Sequence, residues 1–200
     1  MAAAMAFNGC DVTAPKLKSG DLIFVGVPAG DSPDSLFWIH TAIVDIDADG
    51  GAWVVEATLK RGVDLHPIDT FIHDFRRHDG SYPIFKVYRL KDDADAETYV
   101  LNARSFIGEA YDTQLEAGNG KHYCTELVYD SYIIGSEHIF SQGKLEFRDE
   151  EGNTTPYWDW IFSRIGKEAP AEGFGTSPQV MIKEDCLMPV DVDINPAAGF

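Results

Sequence analysis

Cysteine is scarce in this chain: three in 200 residues, Cys10, Cys124 and Cys186. So sparse and odd a set is not a disulfide framework, and no CxxC or zinc-ligand spacing accompanies it. Positive charge is scarce too. Lys and Arg number 16 against 33 Asp and Glu, a formal charge of −17. That balance argues against nucleic acid or an anionic membrane as the main partner. No apolar run approaches the ~20 residues of a membrane span, and there are no repeats or low-complexity tracts. What is present is enough for a core. Hydrophobic residues make up 44% and aromatics 12%, and the length suits one domain, or one domain with an extension.

Strand signals fill the first half. Asp21 to Val27, then "WIHTAIVDI", "AWVVEATL", a short "GVDLHPI" and "YPIFKVYRL" (82 to 90) read as strands, with a Gly/Pro/Asp/Ser loop at 29 to 35 and a turn at "DADGG". "DTFIHDFRR" opens on Asp69 as an N-cap and reads as one or two helical turns. Helices fill the second half. One ends near Gly108, one runs from about His122 to Ile134 and closes at Gly135, and one is capped by the Thr before Pro156 and ends at Gly166. Strands followed by helices predict an α+β fold, an antiparallel sheet with helices packed on one side. Residues 168 to 200, rich in Pro, Gly and acids, are expected to wrap the domain or form a partly ordered tail.

The first ten residues, "MAAAMAFNGC", are small and apolar and end in Gly9-Cys10. They resemble the end of a bacterial lipoprotein signal peptide, without its basic n-region and full h-region. Two expectations follow for 1–12: a signal remnant whose Cys10 carries a lipid anchor, or a disordered tail. The first places the protein in the cell envelope or periplasm.

Cys124 opens the helix in "KHYCTELVYDSY", with Leu127, Val128 and Tyr132 as an apolar stripe behind it. A helix N-terminus favours a thiolate, and Gly118-Asn119-Gly120 offers close approach and free N–H groups for an oxyanion. Free cysteine is also among the most buried residue types, and taken alone this segment favours burial. A nucleophile needs a base and a group to orient it. If a hairpin turns on "DADGG" and pairs Ile46 with Ala52, Ala42 falls opposite Glu56 and His40 opposite Thr58. His40 and Glu56 are then diagonal neighbours on one face, about 5–8 Å apart at Cβ. A one-residue slip separates them. Alternatively, Glu56 faces solvent and His40 is a core histidine. His122 is expected to point away from the cysteine, His73 and His78 to be solvated, and His66 and His138 to sit in polar loops.

These segments, "GDLIFVG", "HTAIVDI", "VVEATLKRGV" and "YCTELVYDSY", together resemble the permuted papain-like amidases of the YiiX type, relatives of the NlpC cell-wall peptidases. In ordinary NlpC-type enzymes the cysteine helix comes first. Here the order is Gly20-Asp21-Leu22, His40, Cys124, the circularly permuted one. The resemblance covers roughly 17 to 135. It implies a catalytic domain over 13–167 with a 168–200 extension. It implies Cys124 as nucleophile, His40 as base and Glu56 as orienting group, with no metal or cofactor. It also implies Tyr111 at the oxyanion site, where a packed aromatic is the alternative. The stretch "VPAGDSPDSLFWI" is shorter than the spacer of such relatives, and the acidic tail has no counterpart. The expected reaction is hydrolysis of an amide, in a cell-wall peptide or an acylated amine, through an acyl-enzyme. One alternative is acyl transfer by the same triad, as in the lecithin retinol acyltransferases.

Glu56 has a rival use. "DIDADGGAWVVE" fits a calcium-loop pattern, with Asp45, Asp47 and Asp49 as oxygen ligands, Gly50 at the turn and Glu56 at the twelfth position. On that reading the chain is a calcium-binding envelope protein with an inert Cys124. Strand-like flanks on both sides favour a hairpin turn over an EF-hand.

Overall fold

The structure is a computed structural model that describes residues 16–29 and 35–196. Cys10 and the expected signal remnant lie outside the described residues, as does most of the loop expected at 29 to 35.

Five strands and two helices come first: β1 (Leu22–Pro28), β2 (Leu36–Ile46), β3 (Ala52–Thr58), β4 (Gly62–Pro67), α1 (Ile68–Asp74), β5 (Ile84–Leu90) and α2 (Ala96–Ser105). Two-residue strands β6 (Ala110–Tyr111) and β7 (Lys121–His122) then lead into α3 (Cys124–Ser131). Beyond it lie β8 (Ile133–Ile134), β9 (Glu137–His138), β10 (Gly143–Lys144), α4 (Pro156–Ile165), β11 (Phe174–Gly175), α5 (Pro178–Met181) and β12 (Leu187–Val190). The main sheet has the order β12-β5-β1-β2-β3-β4, and its neighbours all run antiparallel.

Alternation along the strands builds two cores. Leu22, Phe24, Ile43, Val55 and Ala57 point to the face that α2 and α3 cover with Val100, Ala103, Leu127 and Val128. Ile23, Val25, Ala42, Val44 and Val54 point to the other face, against Phe71 and Phe75 of the α1 segment. Helices therefore lie on both faces, not on one side as expected, because the apolar stripe of α1 folds back over β3 and β4. Pro67 takes the N-cap position expected for Asp69. A third cluster joins Tyr157, Trp158 and Phe162 of α4 to Leu145 and Phe147.

The Gly-Asp-Leu motif is a structural clasp. Asp21 is fully buried, and its carboxylate accepts two bonds from the Arg89 guanidinium, at 2.6 and 2.8 Å, and one from the Lys18 N–H at 2.8 Å. Fixed to β5 in this way, β1 carries β2 in register.

The segment after 168 is part of the sheet as well as a wrap. Leu187–Val190 pairs with Leu90–Val87, and Asn195 brackets Phe85, accepting from its N–H at 2.8 Å and donating to its carbonyl at 3.2 Å. Pro189 is tolerated because β12 is an edge strand.

Gly62 has a left-handed backbone, φ +70°, and a Cβ there runs into the Glu109 carbonyl. That contact matters because Val63 donates to Glu109 O at 2.8 Å and Gly108 donates to Val63 O at 2.9 Å, tying β4 to the approach to β6. Gly62→Ala is expected to cost about 1–2 kcal/mol from backbone handedness alone, before the clash. Thermal denaturation checks it, at roughly 2–4 °C per kcal/mol for a chain of this size.

Candidate active site

The hairpin on "DADGG" has the expected register: Ile46 pairs with Ala52, Asp45 with Trp53, Val44 with Val54 and Ile43 with Val55. The ladder stops there, so the expected pairs Ala42–Glu56 and His40–Thr58 do not form. Both strands continue, β2 back to Leu36 and β3 on to Thr58. On its other side, β2 has an irregularity: His40 pairs with Val25 and Trp38 with Gly26, leaving Ile39 extra. Such a bulge re-aims side chains. Together with the end of the ladder, it frees His40 to lean toward Glu56.

His40 Nε2 lies 2.6 Å from Glu56 Oε2, with both residues buried. Glu56 is 2% exposed, a setting that demands a partner for its charge. Burial acts to raise its pKa, but the His40 hydrogen bond and the His66 ring beside it outweigh this and hold the carboxyl at about 2. Burial likewise acts to lower His40, and the neighbouring Cys124 and Glu56 side chains reverse this, raising it to about 10. With Nε2 engaged by Glu56, Nδ1 is the ring nitrogen left for the thiol. Phe75 and Phe71 flank the imidazole, at 5.5 and 6.2 Å between ring centres.

Cys124 comes from the other face of the sheet. It is the first residue of α3, where the N–H groups of the first turn have no intrahelical acceptor. The helix is held from behind. Leu127, Val128 and Tyr132 are buried, Tyr132 stacks on Tyr99 at 4.6 Å, and its hydroxyl donates to Gly20 O at 2.8 Å. α3 is shorter than the expected His122–Ile134. It ends at Ser131, and Ile133–Ile134 turns through Gly135 to pair with Glu137–His138. Cys124 is 6% exposed, and it lines one cleft with His40, Glu56, Ala57 and Tyr111.

Tyr111 is half-buried in that cleft. Burial, and then the Cys124 charge, push its hydroxyl well above the usual range, so it is a neutral donor. The Gly118-Asn119-Gly120 stretch does not serve close approach as expected. Gly118 and Gly120 have positive φ with open space around them, so these glycines shape a turn.

Two neighbours were not apparent from the sequence. His66, expected in a polar loop, lies on β4 with Nε2 3.1 Å from Glu56 Oε1. Its register partner is Val54, which puts it on the Glu56 face. Extending the hairpin argument by one strand reveals it. Tyr157, on α4, is buried. Burial and the Cys124 charge push its hydroxyl well above the usual range. The other histidines stay away from the thiol. His122 sits 2.9 Å from Glu109 and 3.2 Å from Asp130, His138 stacks on Tyr129, and His73 and His78 are exposed.

The calcium-loop carboxylates are engaged elsewhere. Asp45 accepts from Arg104 Nε at 2.6 Å. Asp47 accepts from the N–H groups of Asp49 and Gly51 and from Trp53 Nε1, closing the hairpin turn. Glu56 belongs to the histidines.

Comparison with known proteins bears on the fold and the family. None of the curated protein sequences matches the chain. Among solved structures, a crystal structure of the metalloprotein YiiX from Escherichia coli O157:H7 superposes with a TM-score of 0.64 at 22% identity, covering 88% of this chain and 97% of that one. The likeness shows a shared fold. The model of the permuted papain-like amidases, the YaeF/YiiX or C92 family, matches residues 16–190. With its strands first and its cysteine helix after them, this chain belongs to the permuted papain-like amidases of the YaeF/YiiX, C92 family, and is a cysteine hydrolase.

Proposed function

We propose that the chain cleaves an amide bond through Cys124, His40 and Glu56. One observation supports the reading: the His40 ring, bonded to the buried Glu56 carboxylate, lines one cleft with the cysteine that starts α3. His40 rests as the imidazolium, holding the proton taken from the thiol, and the thiolate sulfur attacks the amide carbonyl. First-turn N–H groups of α3, with Tyr111, stabilise the oxyanion. The imidazolium returns its proton to the leaving amine, and water then releases the acyl group from Cys124. Glu56 positions the ring, and His66 holds Glu56 from its other oxygen.

The YiiX relative is described as a metalloprotein. Among the described residues of this chain, no group of three or more His, Cys, Asp or Glu is placed to hold a metal ion. His40 and His66 instead approach different oxygens of Glu56, at 2.6 and 3.1 Å.

The substrate class is an amide of a peptide or an acylated amine. The cell envelope is the proposed setting, on the strength of the Gly9-Cys10 stretch. Alkylation at neutral pH with peptide mapping tests the chemistry. Cys124 is expected to label well ahead of Cys186, whose thiol is pushed up by burial and by the Glu184 charge. Equal labelling of the two sinks the reading. Panels of amides and esters, with and without an amine acceptor, separate hydrolysis from acyl transfer.

A further inference from the structure

The chain has seven arginines, and their distribution is uneven. Arg89 is bonded to Asp21 and Arg104 to Asp45. Arg148 donates to the carbonyls of Gly152 and Ala169. The other four line the Cys124 cleft or the larger chamber beside it. That chamber has a volume of about 880 Å³ and apolar walls that include Phe37, Tyr157 and Pro83. It shares Ile39, Asp74, Phe75, Trp160 and Arg164 with the Cys124 cleft, so the two adjoin.

Arg61 is committed to Asp74, with Glu56 and Asp64 each 3.7 Å away. Asp74 is the one carboxylate lining the chamber among the described residues, and this pairing neutralises it. Arg76, Arg77 and Arg164 form no ion pair among the described residues, where the arginine pairs are those of Arg61, Arg89 and Arg104. Arg164 lies over the Trp160 ring at 4.4 Å, a contact that fixes the guanidinium plane and leaves its N–H edge open. In a chain of net charge −17, three arginines without an ion pair among the described residues concentrate positive charge around one chamber. The complement is an apolar body that ends in an anion.

We propose that the acyl group accepted by Cys124 extends through this chamber as an apolar segment and ends in a carboxylate or phosphate held by Arg76, Arg77 and Arg164. The inference rests on Cys124 as the nucleophile and specifies its substrate class. Such an anion aligns the scissile amide by its far end, and guanidinium groups hold it through charge-assisted hydrogen bonds.

The test uses bromoacetyl derivatives of aminocaproic acid, of its carboxamide and of the matching phosphate monoester. Each alkylates a thiolate by forming a C–S bond and releasing bromide. The alkylation rate at Cys124 is followed by peptide mass spectrometry. At low salt the anionic reagents are expected to exceed the carboxamide by about tenfold, the scale of one charge-assisted hydrogen bond. The ratio of carboxylate to phosphate identifies the preferred ion. The anion-to-carboxamide ratio falls toward one in Arg76→Gln/Arg77→Gln, in Arg164→Gln and at high salt. Equal rates in the unaltered protein, or an advantage that survives the substitutions, overturn the proposal. Titrating Cys124→Ala with caproate and with caproamide, read by tryptophan fluorescence, separates the two ideas. Tighter binding of caproate supports the anion site even where Cys124 proves unreactive, a result that removes only the catalytic reading. Indistinguishable binding of the two overturns the anion site itself.

Discussion

His40→Ala is expected to lower kcat/KM for amide hydrolysis by about 10²–10⁴-fold, the usual contribution of a positioned acid–base group. The loss arises twice, because the imidazole takes the thiol proton and later protonates the leaving amine. Alkylation of Cys124 needs only the first of these roles, so the substitution should slow hydrolysis more than it slows labelling. A neighbouring change serves as the comparison. His66→Ala leaves the His40–Glu56 contact of 2.6 Å in place and removes only the second support of the carboxylate, at 3.1 Å. A smaller effect is expected, carried by kcat with little change in KM. If His40→Ala and His66→Ala prove equally mild, the proposed triad is wrong.

Glu56→Gln is expected to reduce stability as well as rate, because it leaves His40 buried without its anionic partner. Breaking a buried ion pair costs about 3–5 kcal/mol. The cost should depend on pH. His40 is raised from 6.5 to about 10, so its contribution is full below pH 6.5 and disappears as pH rises through 10. Glu56 is lowered from 4.5 to about 2, so its contribution is full above pH 4.5 and disappears as pH falls through 2. The difference between the native chain and Glu56→Gln is therefore greatest between pH 4.5 and 6.5 and narrows on both sides. Denaturant titrations at acidic, mildly acidic and alkaline pH measure it. A pH-independent difference would show that the two residues do not form an ion pair.

The His40–Glu56 contact was legible because it is local. One turn signal and a period of two fix which side chains share a face, and an acid in the apolar strand "WVVEATL" needs a partner. The cysteine helix was legible in its start and its apolar stripe, while its end was not. Tyr132 fits a helical stripe equally well, yet its hydroxyl is drawn to Gly20 O, a partner no local window contains. α4 was readable as a helix from its Thr, Pro and Gly punctuation. Its place as a wall of the cleft depends on contacts between Tyr157 and Phe37, far apart in the chain. β12 was hidden by composition, since Pro189 and the flanking acids look like tail. Its pairing comes from the open edge of β5 rather than from its own propensity.

That edge strand has a consequence for biosynthesis. β12 is among the last described segments to leave the ribosome, yet it covers β5, which is made about a hundred residues earlier and holds the buried Asp21 clasp through Arg89. Until it arrives, β5 presents unpaired backbone groups, a template for joining another nascent chain. The sheet cannot be completed during translation of its first five strands, and until closure the β5 edge stays open to pairing with another chain.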